Sequence, residues 1–187
     1  FGGSSGVETP RPKVVPIDPY GEIEKLNIEK EVVGLYISGH PLDKFKLEIK
    51  SFCNTELNAL NDLESLQNKE IRLAGIVSDF AHRTTKGGKP FGTLSMEDYN
   101  GNFTFFLFGD DYLKFKEYMM QGWFLYLVGS VARQKWGNNR LEFKIRSIDL
   151  LNDVREKKAH GVELLLNLVD VNEEIVGQIE DICTTHK

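Results

Sequence analysis

"IRLAGIVSDFAHRTTKGGKPFGTLSMEDYNGNFTFFLF", residues 71–108, decides the fold. At Ile71 the apolar period drops to two, so "IRLAGIVSD" reads as a strand, and Gly75 inside it marks a bend or bulge. "RTTKGGK" gives a basic loop whose "KGGK" makes the turn, and "FGTLSME" is a second strand. "DYNG" is a tight turn with Asp98 placed to bond the local backbone, and "NFTFFLF" is a third strand. Downstream, "DDYLKFKEYM" is a helix with Asp110 or Asp111 as its cap and Tyr112, Phe115 and Met119 on one face. "WFLYLVGSV" returns to strand, "GNN" turns the chain, and "RLEFKIRSI" alternates with Leu141, Phe143 and Ile145 inward. Three strands, a helix and two strands is the order of an OB-fold, a mainly-β five-stranded barrel with a helix between strands 3 and 4. The alternative is an open antiparallel sheet with one covering helix.

Outward from that stretch, residues 1–19 are rich in Gly, Ser and Pro and read as a flexible linker. Residues 20–68 form a helical connector. Its first helix carries Ile23, Leu26, Val33 and Ile37 at helical spacing, and Gly39 and Pro41 of "SGHP" end it. A second short helix covers 42–52, and "LNALNDLESL" holds a helical turn. The barrel occupies 69–152. Residues 153–187 contribute an incomplete αβ piece: a strand, "VELLLNLVD", and a helix capped by Asn172 with an Ile175–Ile179–Ile182 stripe. This piece is expected to begin a further domain.

The chain has 187 residues and a formal net charge of −5, unevenly spread. Residues 71–146 hold 11 Lys+Arg against 7 Asp+Glu, leaving 12 against 21 for the rest. The middle is basic and the flanks are acidic, which places any polyanion on the barrel. Two distant cysteines form no disulfide framework, so a reducing cytosol (a cytoplasmic setting) is expected. No apolar run approaches a bilayer span, so no membrane partner is expected. The four histidines have no metal-ligand spacing, and no cofactor motif stands out.

OB barrels lay nucleic acid across strands 2 and 3, between the 1–2 and 4–5 loops. Here the first loop offers Arg83, Thr84, Thr85, Lys86 and Lys89. The second offers Arg133, Lys135, Trp136 and Arg140. Cations neutralise phosphate and an aromatic plane stacks a base. In strand 3, Phe103, Phe105 and Leu107 share one face, while Phe106 and Phe108 share the other; one set fills the barrel. Phe91 and Phe106 are the candidates for the open face, and Phe124 and Tyr126 are assigned to packing. No catalytic residue is assigned: Asp110–Asp111 and Glu97–Asp98 are read as cap and turn residues, and His40 as a turn or packing residue.

"EKEVVGLYISGHPLD", residues 29–43, resembles the stretch that leads into the OB domain of the bacterial DNA polymerase III alpha subunit, a replicative polymerase. The barrel segment resembles the same family in its Gly-Val strand, its threonine-and-lysine loop and its acidic turn closing on Phe108. The likeness covers residues 20 to 150 in order. It implies an OB module that contacts single-stranded template DNA in replication, with Arg83, Thr84, Lys86 and Lys89 matching the family's loop residues. It implies the sliding clamp and the clamp-loader tau subunit as partners of the full subunit. The full subunit would be a DNA-directed DNA polymerase, a nucleotidyltransferase; this segment is expected to hold no active site, since the polymerase aspartates belong to earlier segments. "FGG" at 1–3 is expected to be the tail of a clamp-binding peptide, too short to bind clamp, and 162–187 too short to bind tau. The rival reading is a structural or protein-interaction OB module of the replisome.

Overall fold

The computed structural model describes residues 20–34, 36–133, 140–161, 163, 165–167, 169 and 171–185. The five strands are β1 (Glu70–Thr84), β2 (Pro90–Glu97), β3 (Asn102–Phe108), β4 (Phe124–Arg133) and β5 (Leu141–Leu150). They pair antiparallel in the order β3-β2-β1-β4-β5, which is the OB strand order. The sheet curls around a core built from its inward residues. Ile71, Leu73, Leu94, Met96, Leu125 and Leu127 are all fully buried there. Among the described residues no ladder joins β3 to β5. That seam is spanned by side chains instead, with the Phe105 and Phe143 rings 5.9 Å apart. The OB sheet is thus curled but not closed into a full barrel, its ladder remaining open between β3 and β5 among the described residues.

Two features of β1 make the curl. A Cβ on Gly75 would lie 2.7 Å from the Glu97 carbonyl oxygen, so only glycine allows β2 to approach this closely. Three residues on, the register moves from Val77↔Met96 to Asp79↔Ser95, leaving Ser78 as the extra residue of a β-bulge. The bulge changes which residues point outward. Before it, Ala74 faces out and joins the layer behind the sheet; after it, Asp79, Ala81 and Arg83 share the outer face with Ser95, Thr93 and Phe91. Sequence reading put the bend at Gly75; the bend and the phase change occupy neighbouring positions.

β1 also runs further than its apolar pattern indicates. Arg83 and Thr84 pair with Phe91 and Pro90 and lie on the strand, not in a loop. The connection shrinks to a tight turn: Thr85 N–H donates to Lys89 O at 2.8 Å, Gly88 N–H to Thr85 O at 2.9 Å, and Lys89 N–H to Thr85 Oγ1 at 3.1 Å. Gly88, at φ 78, takes the left-handed position that such a turn requires. The "DYNG" turn forms as expected, with Asp98 Oδ1 accepting from the N–H groups of Asn100 and Gly101, each at 2.9 Å.

Helix α3 (Asp110–Phe115) sends Phe115 into the barrel and continues as a 3₁₀ turn that buries Met119. Its cap is Gly109, at φ 54, rather than Asp110 or Asp111; neither aspartate makes a side-chain cap bond. The sharp exit from β3 needs a backbone that only glycine adopts readily, so the aspartates fall one position inside the helix.

The connector holds α1 (Glu22–Val33) and α2 (Lys46–Phe52). α1 ends at Gly34, φ 83, whose N–H bonds Lys30 O at 2.8 Å; Gly39 is not its cap. The first glycine able to turn left-handed stops the helix. Its expected apolar stripe does not bury as a unit: Leu26 is buried, while Ile23, Val33 and Ile37 are exposed. α1 is instead fastened by polar groups, since Lys30 and Tyr36 both bond the Glu97 carboxylate of β2. His40 sits between the rings of Tyr36 and Tyr99, at 5.1 and 4.5 Å, and Tyr99 OH donates to Asp43 Oδ1 at 3.1 Å. Leu42 and Phe45, with Leu151 and with Val154 of α4 (Val154–Lys158), bury Ala74, Tyr126 and Val128 on the outside of β1 and β4. The back of the sheet is therefore covered, while the outer face of β2 and β3 is left open.

Helix α5 (Glu173–Thr185) is capped as expected, with Ile175 N–H donating to Asn172 Oδ1 at 2.8 Å. None of its described residues is buried, its Ile175–Ile179–Ile182 stripe included. The strand expected at 162–170 is absent among the described residues there: 163, 165–167 and 169 are not strand. A strand exists only by pairing, and no described edge pairs with these residues. Residues 1–19, Lys135, Trp136 and the expected "GNN" turn at 137–139 lie outside the described residues.

Candidate nucleic-acid interface

The open face is built in rows across three strands. Arg83, Phe91 and Phe108 form the row nearest the hairpin turn; Ala81, Thr93 and Phe106 form the next; Asp79, Ser95 and Thr104 form the third. Alternation in β3 drives Phe105 and Leu107 into the core and leaves Phe106 and Phe108 62% and 55% exposed. These two exposed rings gather with a third, the half-buried Phe91. Phe91 and Phe108 stack at 5.2 Å and 18°, and Phe106 lies 6.4 Å from Phe108 at 9°. Three nearly parallel rings thus make a ladder on a water-facing sheet. Exposed apolar area of this kind is costly unless a ligand covers it.

The electrostatics of the same edge favour an anion. Arg83, Lys86 and Lys89 are exposed and form no ion pair among the described residues. Elsewhere the cations are mostly engaged: Lys30 with Glu97, Arg146 with Glu70, Arg155 with Glu48 and Lys157 with Asp149. The unneutralised charge therefore collects at the hairpin end of the ring ladder. Ser95 and Thr104 add a hydroxyl pair, 2.8 Å apart, below the rings.

The sequence candidates divide accordingly. Arg83, Thr84, Lys86, Lys89, Phe91 and Phe106 are brought to one end of one face. Arg133 closes β4 opposite Leu141, and Arg140 is exposed just before β5. Lys135 and Trp136, between them, fall outside the described residues. Phe108 lies on the same face and was not among the sequence candidates, although its sharing of a face with Phe106 was visible. Asp79 was also missed, because only the bulge turns it onto this face. Among the described residues no three His, Cys, Asp or Glu side chains gather to hold a metal ion, and no helix is long and apolar enough to cross a membrane.

No family model matches the chain. Individual relatives do. The DNA polymerase III alpha subunit of Borreliella burgdorferi is 26% identical over 173 residues, covering 87% of this chain and 14% of that protein. The alpha subunit of Vibrio cholerae is 24% identical over 175 residues, 94% of this chain and 15% of that protein. That of Mycobacterium tuberculosis is 31% identical over 98 residues, 52% of this chain and 8% of that protein. The chain thus spans well under two thirds of the length of the curated relatives it matches. Among solved structures, a mitochondrial single-stranded DNA binding protein of S. cerevisiae aligns at TM-score 0.33 and 16% identity over 44% of this chain and 95% of its own. The fold assignment rests on strand order and register, not on that alignment.

Proposed function

We propose that this chain, which matches several DNA polymerase III alpha subunits along about 90% of its own length, is an OB module like theirs and binds single-stranded DNA on the open face of β2 and β3. The observation that carries this reading is the coincidence of three nearly parallel rings, Phe106 and Phe108 exposed and Phe91 half-buried, with three cations at one edge that form no ion pair among the described residues. Bases stack on Phe91, Phe108 and Phe106; phosphates run past Arg83, Lys86 and Lys89. The open sheet suits a single strand, whose bases are free to lie flat on rings; a duplex hides those faces. Stacking accepts every base, so sequence preference is small.

Within the longer subunit, the module would guide template strand during replication, with the sliding clamp and the tau subunit as partners of other segments. Residues 20–68 would act as the connector that fixes the barrel, and 153–187 as the lead into a further domain. The deciding experiment is fluorescence anisotropy of a labelled oligothymidine with unlabelled competitors. Single-stranded competitor displaces the label and duplex of equal length does not, while Phe106→Ala/Phe108→Ala weakens binding by about 1–3 kcal/mol per lost base contact. Equal binding by the double variant would refute the assigned face. Absence of any binding at low salt would leave the face to a protein partner.

A further inference from the structure

Asp79 sits on the candidate face at the point where the aromatic and cationic rows stop. Its register partner is Ser95, whose hydroxyl is bonded to Thr104, so the third row holds a carboxylate and a hydroxyl pair in place of rings. The side chain is exposed and makes no hydrogen bond or ion pair among the described residues. Glu97, the next outward residue of β2, is by contrast neutralised by Lys30. The face therefore carries free positive charge at its hairpin end and one free negative charge two rows below.

We propose that Asp79 marks the boundary of the nucleic-acid path, repelling the phosphate backbone from the lower half of the sheet and confining a bound strand to the ring ladder. This rests on the single-strand reading above. One base for each ring gives a footprint of about three nucleotides. A fourth phosphate continuing down the sheet would pass the Asp79 carboxylate with no cation beside it, so a longer strand leaves the surface there. Asp79 acts by excluding phosphate and touches no base; it is a specificity-determining residue for length and direction. The Ser78 bulge is what places it, since with Ser78 paired regularly to Ser95, Asp79 would fall opposite Leu94 and point to the barrel interior.

The test uses the chain as it stands, with 5′-labelled oligothymidines of about two to eight nucleotides and salt titrations for wild type, Asp79→Asn, Asp79→Lys and Arg83→Glu. For wild type, affinity is expected to rise with length and level off near about three to four nucleotides. Asp79→Asn is expected to strengthen binding of the longer oligonucleotides by about twofold, and Asp79→Lys by about fivefold at low salt. In Asp79→Lys the plateau moves to longer strands and the salt slope steepens by about 0.7, one added phosphate contact on a single strand. Short oligonucleotides bind all three forms alike. If Asp79→Lys keeps the wild-type plateau and slope while Arg83→Glu weakens binding, the boundary proposal is wrong and the face assignment stands. If Arg83→Glu also changes nothing, the face assignment fails with it.

Discussion

Phe105 and Phe106 are chain neighbours with opposite fates, and substitution separates them. Phe105→Ala empties core volume beside Phe143 and is expected to cost about 3–5 kcal/mol of stability, seen as a lowered denaturation midpoint. Phe108→Ala removes an exposed ring and is expected to change stability by less than about 0.5 kcal/mol while weakening oligonucleotide binding. Equal stability losses in the two variants would contradict the inward–outward assignment. Gly129 is a second residue with a sharp expectation. A Cβ there would lie 2.3 Å from Lys144 O and 2.5 Å from the Phe143 ring, and neither backbone nor packed ring yields freely. Gly129→Ala is expected to destabilise by about 1–3 kcal/mol in urea titration, the range for an overpacked core.

At the scale of elements, the period-two signal located all five strands, Gly87–Gly88 and Gly101 located the two described hairpin turns, and Asn172 located the start of α5. What escaped was information held between strands. Arg83 and Thr84 look like loop because they are polar, yet their pairing with Phe91 and Pro90 makes them strand; ladder bonds do not depend on side-chain polarity. The outward placement of Asp79 follows from a bulge one strand makes against another, which no single-strand pattern displays. Likewise "VELLLNLVD" has the composition of a strand and, among its described residues, none of the pairing. Of the candidate face, Arg83, Lys86, Lys89, Phe91 and Phe106 were legible, and Phe108 was not singled out. Deleting Ser78 tests the bulge as an element. Removing it makes Val77↔Met96 and Asp79↔Ser95 consecutive pairs, so regular pairing returns with Asp79, Ala81 and Arg83 still outward. Loss of the local twist is expected to lower the melting temperature while oligonucleotide binding persists. A folded deletion variant that loses binding would contradict this phase assignment.

For the molecule as a whole, the joint between connector and barrel makes stability depend on pH. His40 Nδ1 accepts the Leu42 N–H at 3.2 Å, which fixes a neutral ring with its proton on Nε2. Burial lowers its pKa; the carboxylates of Asp43, Glu97 and Asp98 oppose that shift and Lys30 adds to it. The unfolded chain therefore takes up this proton more readily than the folded one. The contribution is full above about pH 6.5 and is lost as pH falls through that value toward the folded pKa. Asp43, held below the usual carboxylate range by the His40 backbone N–H and Tyr99, adds a separate loss only at more acid pH. Melting curves are expected to show wild type losing stability between about pH 7.5 and 5.5, and His40→Gln losing less. Equal losses would remove His40 from the account. The back of the sheet carries this joint and the front carries the rings, and one strand serves both. In hereditary terms the extra residue at Ser78 works as an insulator. Even-numbered positions of β1 before it answer to the connector and odd-numbered positions after it answer to the ligand, so substitutions that tune one surface need not disturb the other. Length changes in the β1–β2 hairpin are then tolerated in steps of two residues, and a single-residue change exchanges the strand's two audiences.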